Sequence, residues 1–152
     1  MEKELPLRPV EYNWCHTASQ LVTVNFVWTI YNFKLEDPFR RNKSNAFSAK
    51  EDPSLRFHLA VINKVNCLKK NIVFVTIDNG KGKVGHNIQL SISVLNKKNE
   101  KISTREHHCC KEDRLPYSEI LCEENKLNDL LNDGNLTICC EIVSSIDKIC
   151  LA

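Results

Sequence analysis

Apolar and polar residues alternate along several short segments of this chain. In residues 25–30, 55–61, 88–94 and 136–142 every second residue is apolar, and the residues between them are mostly polar. Successive side chains of a β-strand point to opposite faces, so this period of two predicts strands that are buried on one face. The residues predicted to face the core are Phe26, Trp28, Ile30, Leu55, Phe57, Leu59, Val61, Ile88, Leu90, Ile92, Val94, Leu136, Ile138, Cys140 and Ile142.

Two further segments differ from this pattern. Residues 71–78, "NIVFVTID", are apolar almost throughout, which predicts a strand that is buried on both faces. Residues 118–131 carry apolar residues at mixed spacing after Ser118, a residue type that often caps a helix, and we expect a short helix or an irregular segment there. Turn-forming residues stand at 78–80 and 133–134. Many short strands separated by such turns predict an all-β protein, an antiparallel β-sandwich.

The composition narrows the class of protein. The chain has 152 residues, enough for one domain, and 42% of them are hydrophobic. Lys plus Arg number 21 and Asp plus Glu number 19, a near balance that argues against a nucleic-acid-binding protein. The N-terminus is charged and interrupted by Pro6 and Pro9, unlike a signal peptide, and no stretch approaches the ~20 apolar residues of a membrane helix. We therefore expect a protein of the nucleus or cytoplasm whose cysteines are reduced.

Candidate chemistry lies in "HHCC", residues 107–110, because His and Cys are common zinc ligands. In an extended segment His107 and Cys109 point to one side and the other two residues to the opposite side. Four neighbours on a strand thus do not converge on a tetrahedral ion, and the chain lacks paired zinc-type spacings. We expect no cofactor. A metal site that combines two of the four with Cys67 or Cys122, or a reactive thiol, is the alternative function.

No motif of an enzyme is present. The chain lacks a Gly-x-Ser-x-Gly elbow, a His-Glu-x-x-His motif and a phosphate-binding loop. Residues 79–85, "NGKGKVG", contain three glycines but not the Gly-Lys-Ser/Thr end of that loop, and they predict a hairpin turn. We therefore expect neither catalytic residues nor an enzymatic activity.

Five stretches in order resemble a MATH domain, the TRAF-like β-sandwich. "FVWTIYNF" at 26–33 is similar to the opening strand of that family, in which an aromatic residue, Trp, Ile and Asn-Phe recur. "SNAFSA" at 44–49, "LRFHLAV" at 55–61 and "LSISVLNKKNEK" at 90–101 follow in the order of the family, and "LLNDGNLTICCEIV" at 130–143 resembles its ending. The nearest resemblance is to the speckle-type POZ proteins, in which "WCHT" has a similar counterpart ahead of the domain.

The resemblance implies a fold and a function. The fold is an eight-stranded antiparallel sandwich, with a lead-in at residues 1–19, the MATH domain at 20–145 and a tail at 146–152. The function is the binding of short, extended, Ser/Thr-rich or charged peptides of substrate proteins along a sheet edge. Speckle-type proteins use a following BTB/POZ domain to dimerise and to recruit a cullin ubiquitin ligase. The tail is too short for that domain, so we expect a monomeric substrate adaptor that does not recruit a cullin directly.

The peptide groove of the family is floored by two aromatic residues on neighbouring strands and by a Lys-Asp-Trp-Gly-Phe loop. Leu90, and less closely Val75, stand at the aromatic positions. Truncating a central aromatic anchor costs ~2 kcal/mol or more, so the groove either binds a different, more charged peptide or has lost its function. The loop corresponds to Lys111, Glu112, Asp113, Arg114 and Leu115, in which Asp113 replaces Trp and Arg114 replaces Gly.

Overall fold

The computed structural model describes the backbone of residues 15–34 and 41–151. Within these ranges the chain forms nine strands and one short helix. The elements are β1 (Cys15–Ile30), β2 (Arg41–Lys43), β3 (Phe47–Ser48), β4 (Arg56–Val65), β5 (Asn71–Asp78), β6 (Ile88–Leu95), β7 (Lys101–Cys109), β8 (Tyr117–Glu123), α1 (Glu124–Leu130) and β9 (Leu136–Leu151).

The strands form two antiparallel sheets that pack face to face, so the predicted all-β sandwich is confirmed. The first sheet has the order β1-β9-β6-β7, and the second has the order β2-β4-β5-β8, with β3 also paired to β4. The edge strands are therefore β1 and β7 in the first sheet, and β2 and β8 in the second. The described strands number nine rather than the expected eight, and the shortest, β3, has two residues.

A continuous apolar core fills the space between the sheets. Three aromatic side chains link the sheets within it. Phe26 of β1 stacks on Phe47 of β3 with ring centroids 4.2 Å apart, and Phe47 lies 6.4 Å from Phe57 of β4. Because β1 belongs to one sheet and β3 and β4 belong to the other, these rings contribute directly to the cohesion of the two layers.

The alternation predicted for the four segments is confirmed. Every residue predicted to face inward is buried or packs against the core. Three residues of the outer face, Ala60, Ser93 and Cys139, are also buried. Ser93 and Cys139 lie opposite each other on β6 and β9, and Val27 of β1 lies opposite Cys139 on its other side. The predicted turns are confirmed as well, since Gly80, Asp133 and Gly134 have positive φ angles.

The prediction for residues 71–78 is correct in type but wrong in one respect. The segment forms β5, with Val73, Val75 and Ile77 in the core. Phe74, between two of them, is only half-buried and lies on the outer face of the second sheet. The strand is apolar on both faces, so its sequence does not show that one face is partly open.

The other differences concern connections and ends. Ser118 does not cap a helix but lies in β8, and α1 begins only at Glu124. No hairpin turn forms at 79–85, because β5 and β6 belong to different sheets and the segment crosses between them. The predicted lead-in and tail are partly strand, since β1 begins at Cys15 and pairs with β9 as far as Leu151. Residues 1–14 lie outside the described residues.

Candidate functional site

The predicted peptide-binding loop connects β7 to β8 and thus joins the edge strands of the two sheets. Backbone hydrogen bonds fix it against the β5–β6 connection. Val84 N–H donates to the carbonyl of Asp113 at 2.9 Å, and Leu115 N–H donates to the carbonyl of Gly82 at 3.1 Å. Gly82 has a φ of +83°, a conformation that residues with a Cβ rarely adopt. The loop is therefore a firmly held part of the sandwich.

Two of the predicted loop side chains already have partners. The Glu112 carboxylate forms an ion pair with Lys83 at 3.1 Å, and both side chains are largely exposed. Such an exposed pair contributes little to stability and could be exchanged for a ligand. Asp113 Oδ2 accepts a hydrogen bond from the backbone N–H of Cys110 at 2.8 Å, which holds the turn together. Asp113 is therefore a structural residue of this loop.

The remaining three loop residues divide into one buried and two exposed side chains. Leu115 is buried and belongs to the hydrophobic core. Lys111 and Arg114 are exposed. Of the predicted loop residues, these two cations are the side chains best placed to meet a charged partner.

Val75 and Leu90, predicted to stand at the two aromatic positions, need a correction. Val75 lies in β5 of the second sheet and is 0% exposed, and Leu90 lies in β6 of the first sheet and is 1% exposed. Both point into the core, so neither can contact a peptide on the surface. An error of one position along a strand exchanges its two faces, and Phe74, the neighbour of Val75, does face outward.

The edge strands β7 and β8 approach each other at two points on one flank of the sandwich. His107 of β7 stacks on Tyr117 of β8, with ring centroids 4.1 Å apart and planes inclined by 12°. Further along, Ser103 Oγ donates a hydrogen bond to the carbonyl of Leu121 at 3.3 Å. The stack and this hydrogen bond join the two sheets at this flank.

Burial raises the pKa of Tyr117 well above its ordinary value, and the hydrogen bond from its hydroxyl to the Glu119 carboxylate raises it further.

The raised pKa of Tyr117 predicts a loss of stability in alkali. The neutral phenol is favoured in the folded state, so this contribution is complete below the ordinary pKa of 10.0 and is lost as the pH rises through the folded-state value. In a spectrophotometric titration, one of the three tyrosines should ionise only at a pH well above 10.0. That late step should disappear in Tyr117→Phe. Ionisation of all tyrosines together near pH 10 in the folded protein would contradict it.

An apolar row crosses the outer face of the second sheet. Phe74 of β5 lies opposite Ile62 of β4 on one side and Ile120 of β8 on the other. Ile120 is 45% exposed, and Ile62 and Phe74 are half-buried. The ammonium group of Lys64 lies 5.4 Å from the centroid of the Phe74 ring. The apolar row thus ends at the edge strand β8 with an isoleucine open to solvent.

A groove of about 340 Å³ lies where β7, β8 and α1 meet, and Ile120 lines it as well as ending the apolar row. We call it the seam groove. Its floor is apolar and its rim carries charges of both signs. It is lined by Ser103, Arg105, Ile120, Leu121, Cys122, Glu123, Lys126, Asp129 and Leu130.

The predicted alternation of residues 107–110 is confirmed. Cys109 is buried and His107 packs on Tyr117, whereas Cys110 and His108 are exposed. His108 Nδ1 lies 3.4 Å from the side-chain oxygen of Gln89 on the neighbouring strand. Among the residues that the structure describes, no three His, Cys, Asp or Glu side chains come together as a metal site would require.

The buried thiols have an environment that disfavours reaction. Burial raises the pKa of Cys122 to about 11. Burial, with smaller contributions from Cys139 and Glu141, raises the pKa of Cys140 to about 12. Burial likewise raises the pKa values of Cys109 and Cys139. Because the thiolate is the reactive form, these four cysteines are poor nucleophiles near neutral pH.

A thiol titration separates exposed from buried cysteines. In the folded protein at pH 7.5, Ellman's reagent should react quickly with Cys67 and Cys110, which are exposed, and slowly with the four buried thiols. Cys67→Ser and Cys110→Ser should each remove one equivalent from the fast phase. Fast reaction of Cys122 or Cys140 would contradict the burial described here.

Sequence reasoning missed the residues that make this flank distinctive. Phe74 and Ile120 lie on the outer face, and His107 forms a stack with Tyr117 that no sequence spacing reveals. One signal was present for Phe74, since it is the single aromatic residue of β5 and alternates with two valines. Ile120 was assigned to an irregular or helical segment, which concealed its position on a strand.

No protein-family model matches the chain. Membership of the MATH family therefore stays a prediction that rests on the quoted stretches, whereas the all-β sandwich is shown by the two packed antiparallel sheets. In the part of the chain that the structure describes, no helix has the length and apolar character needed to span a membrane.

Proposed function

We propose that the chain is a peptide-binding domain of the MATH type, which adds extended segments of other proteins to the edge of β8 that does not pair with β5. One observation carries this proposal: the edge strand β8 carries the open end of the apolar row and borders the seam groove. Among the described residues, β5 is the one strand that pairs with β8. An extended peptide on the other side would pair with the outward main-chain groups of β8, and it would displace the Ser103 hydroxyl from the Leu121 carbonyl.

The side chains of an added strand would meet two different surfaces. They point alternately to the two faces of the sheet, and the added strand lies ~4.8 Å from β8. On the outer face they reach Ile120 and, beyond it, Phe74. On the inner face they reach the seam groove, whose rim includes Arg105 and Asp129. Recognition therefore alternates between apolar and polar contacts.

This alternation favours a particular peptide chemistry. Apolar residues suit the face that ends at Ile120. Ser and Thr suit the seam groove, because a hydroxyl both donates and accepts hydrogen bonds and the rim offers cations such as Lys126 and anions such as Glu123. The proposed ligand is thus an extended segment in which apolar residues alternate with Ser or Thr.

The exposed cations of the β7–β8 loop extend the site. Lys111 and Arg114 precede the first residue of β8, so they lie at one end of the edge that would pair with the peptide. Acidic residues at the corresponding end of the peptide would meet favourable charge there. This favours a partly charged ligand. Its contacts with Lys111 and Arg114 would compensate for the aromatic contacts of the family, which this chain lacks.

The proposed cellular role follows from the resemblance to speckle-type proteins. Bound segments belong to substrate proteins in the nucleus or cytoplasm, and the domain selects these substrates for ubiquitination by a cullin ligase. The chain itself supplies the recognition step. Recruitment of the ligase requires a BTB/POZ domain or a partner that carries one.

Backbone methylation of the peptide tests pairing with β8. A labelled peptide with alternating apolar and Ser/Thr residues should bind with micromolar affinity in fluorescence polarisation. N-methylation of every second residue removes the donors on one edge of the peptide. One of the two alternating sets should abolish binding, and the other should leave it nearly unchanged. Equal effects of both sets would contradict strand addition, and a peptide of the same composition in scrambled order is the control.

A further inference from the structure

Strand β1, at the edge of the first sheet opposite β7, lacks the features that normally protect an edge strand. β1 is an edge strand of sixteen residues without Asp, Glu, Lys, Arg or Pro. Within residues 15–34 and 41–151, β9 is the one strand that pairs with it. Edge strands of monomeric proteins usually carry charges, prolines or bulges that prevent pairing with another chain.

The opposite edge of the same sheet is protected in this way. β7 carries Lys101, Arg105 and Glu106. It also contains an irregularity in its pairing with β6, at which Ser103 has a φ of +53°. The contrast between the two edges of one sheet indicates that β1 is suited to pairing, whereas β7 is not.

β1 also exposes two large aliphatic side chains on the outer face of the sheet. Leu21 is 68% exposed and Val27 is 59% exposed, whereas Val24 between them is buried. Leu21 and Val27 each lie three residues from Val24. An antiparallel pair of β1 strands with Val24 opposite Val24 therefore places Leu21 of each copy opposite Val27 of the other.

We propose that β1 pairs with β1 of a second copy of this chain, in this register, to form a dimer across a twofold axis. The interface is self-complementary, as a twofold contact requires. It joins two four-stranded sheets into one continuous sheet and covers both exposed aliphatic residues. Shifting the register by two residues in either direction would place Leu21 opposite Asn25 or Thr29 instead, so the proposed register is the one that matches the aliphatic pair.

The proposed dimer does not involve the edge of β8, because β1 and β8 are edges of different sheets. The inference is thus independent of the proposed peptide site, and either can fail alone. It differs from the monomer expected from the sequence. A dimer would present two peptide-binding edges and could engage two segments of one substrate.

Two double variants test the register. Thr23 and Asn25 are exposed on the outer face, and the proposed register places Thr23 opposite Asn25 of the second copy. Thr23→Lys with Asn25→Lys places like charges opposite each other twice, whereas Thr23→Glu with Asn25→Lys places opposite charges there. Both variants have Lys at position 25, opposite Glu141 of β9, so this intrachain pair is the same in both.

The measurement is sedimentation equilibrium of the full chain at about 100 µM, where a dimer of micromolar affinity is saturated. The wild-type chain and the Glu/Lys variant should show twice the chain mass of 17.5 kDa, and the Lys/Lys variant should show a single mass. Leu68→Lys, at an exposed leucine far from β1 in the sequence, should remain dimeric. Circular dichroism confirms that each variant is folded.

Three results would overturn the proposal. A wild-type chain that stays at a single mass would show that this edge does not pair with a second copy. Equal masses of the two double variants would exclude the register. Dissociation by Leu68→Lys would place the contact elsewhere on the surface.

Discussion

Replacing Phe57 by Ala is expected to lower the free energy of unfolding by about 3–5 kcal/mol. Phe57 is almost completely buried and continues the row of aromatic rings that begins with Phe26 and Phe47. Removing its ring leaves a cavity where the two sheets meet, and the Phe47 ring loses its neighbour on that side. Because single domains are stable by only about 5–15 kcal/mol, the loss is a large fraction of the total.

Chemical denaturation monitored by tryptophan fluorescence measures this loss, and the melting temperature should fall by roughly 10 °C. The matched control is Phe74→Ala, the same substitution at a half-buried position on the outer face of β5. Phe74→Ala should lower the free energy of unfolding by only about 1 kcal/mol, because the exposed part of the ring gains little transfer free energy on folding. Equal losses for the two variants would contradict the assignment of Phe57 to the core and Phe74 to the surface.

Phe74→Ala and Ile120→Lys are each expected to weaken peptide binding about thirtyfold, which corresponds to about 2 kcal/mol. Phe74 supplies the one aromatic ring of the apolar row, and Ile120 lies at its open end on β8. The lysine would place a charge where an apolar peptide side chain is proposed to pack. Isothermal titration calorimetry with the alternating apolar and Ser/Thr peptide measures both effects.

The matched control for Ile120→Lys is Leu68→Lys, which introduces the same residue at a leucine that is 71% exposed and lies in the β4–β5 turn. The affinity of Leu68→Lys for the peptide should equal that of the wild type. Lys111→Ala should weaken binding only for peptides with an acidic end, because its cation lies beyond the first residue of β8. Wild-type affinity in both Phe74→Ala and Ile120→Lys would place the ligand on another surface.

The strands could be predicted from the sequence because each of the one-sided strands leaves a period of two in its own residues. Leu55, Phe57 and Leu59 show this directly, since Arg56 and His58 alternate with them. The pattern depends on neighbours in the chain and needs no knowledge of distant contacts. It therefore identified β1, β4, β6 and β9 and their residues in the core, whereas β8 was missed because its apolar residues fall in a segment of mixed spacing.

The candidate site could be predicted only in part, because its features depend on faces and on distant pairings. Val75 and Leu90 both lie on strands, but the quoted similarity could not show which face each occupies or that the two strands belong to different sheets. The seam groove arises where edges of two sheets meet, as in the contact of Ser103 with Leu121, and no local pattern encodes that meeting. Ser118 was taken for a helix cap because serine favours that position, whereas pairing with Thr76 of β5 places it in a strand.

The measurement that tests the proposed function most directly is a map of backbone amide chemical shifts during titration with the alternating apolar and Ser/Thr peptide. Strand addition at β8 predicts the largest shifts in residues 117–123, with smaller ones in β5 and around Ser103 and Arg105 of the seam groove. Shifts confined to β1 or β2, or no shifts at about 1 mM peptide, where even weak binding becomes visible, would contradict it.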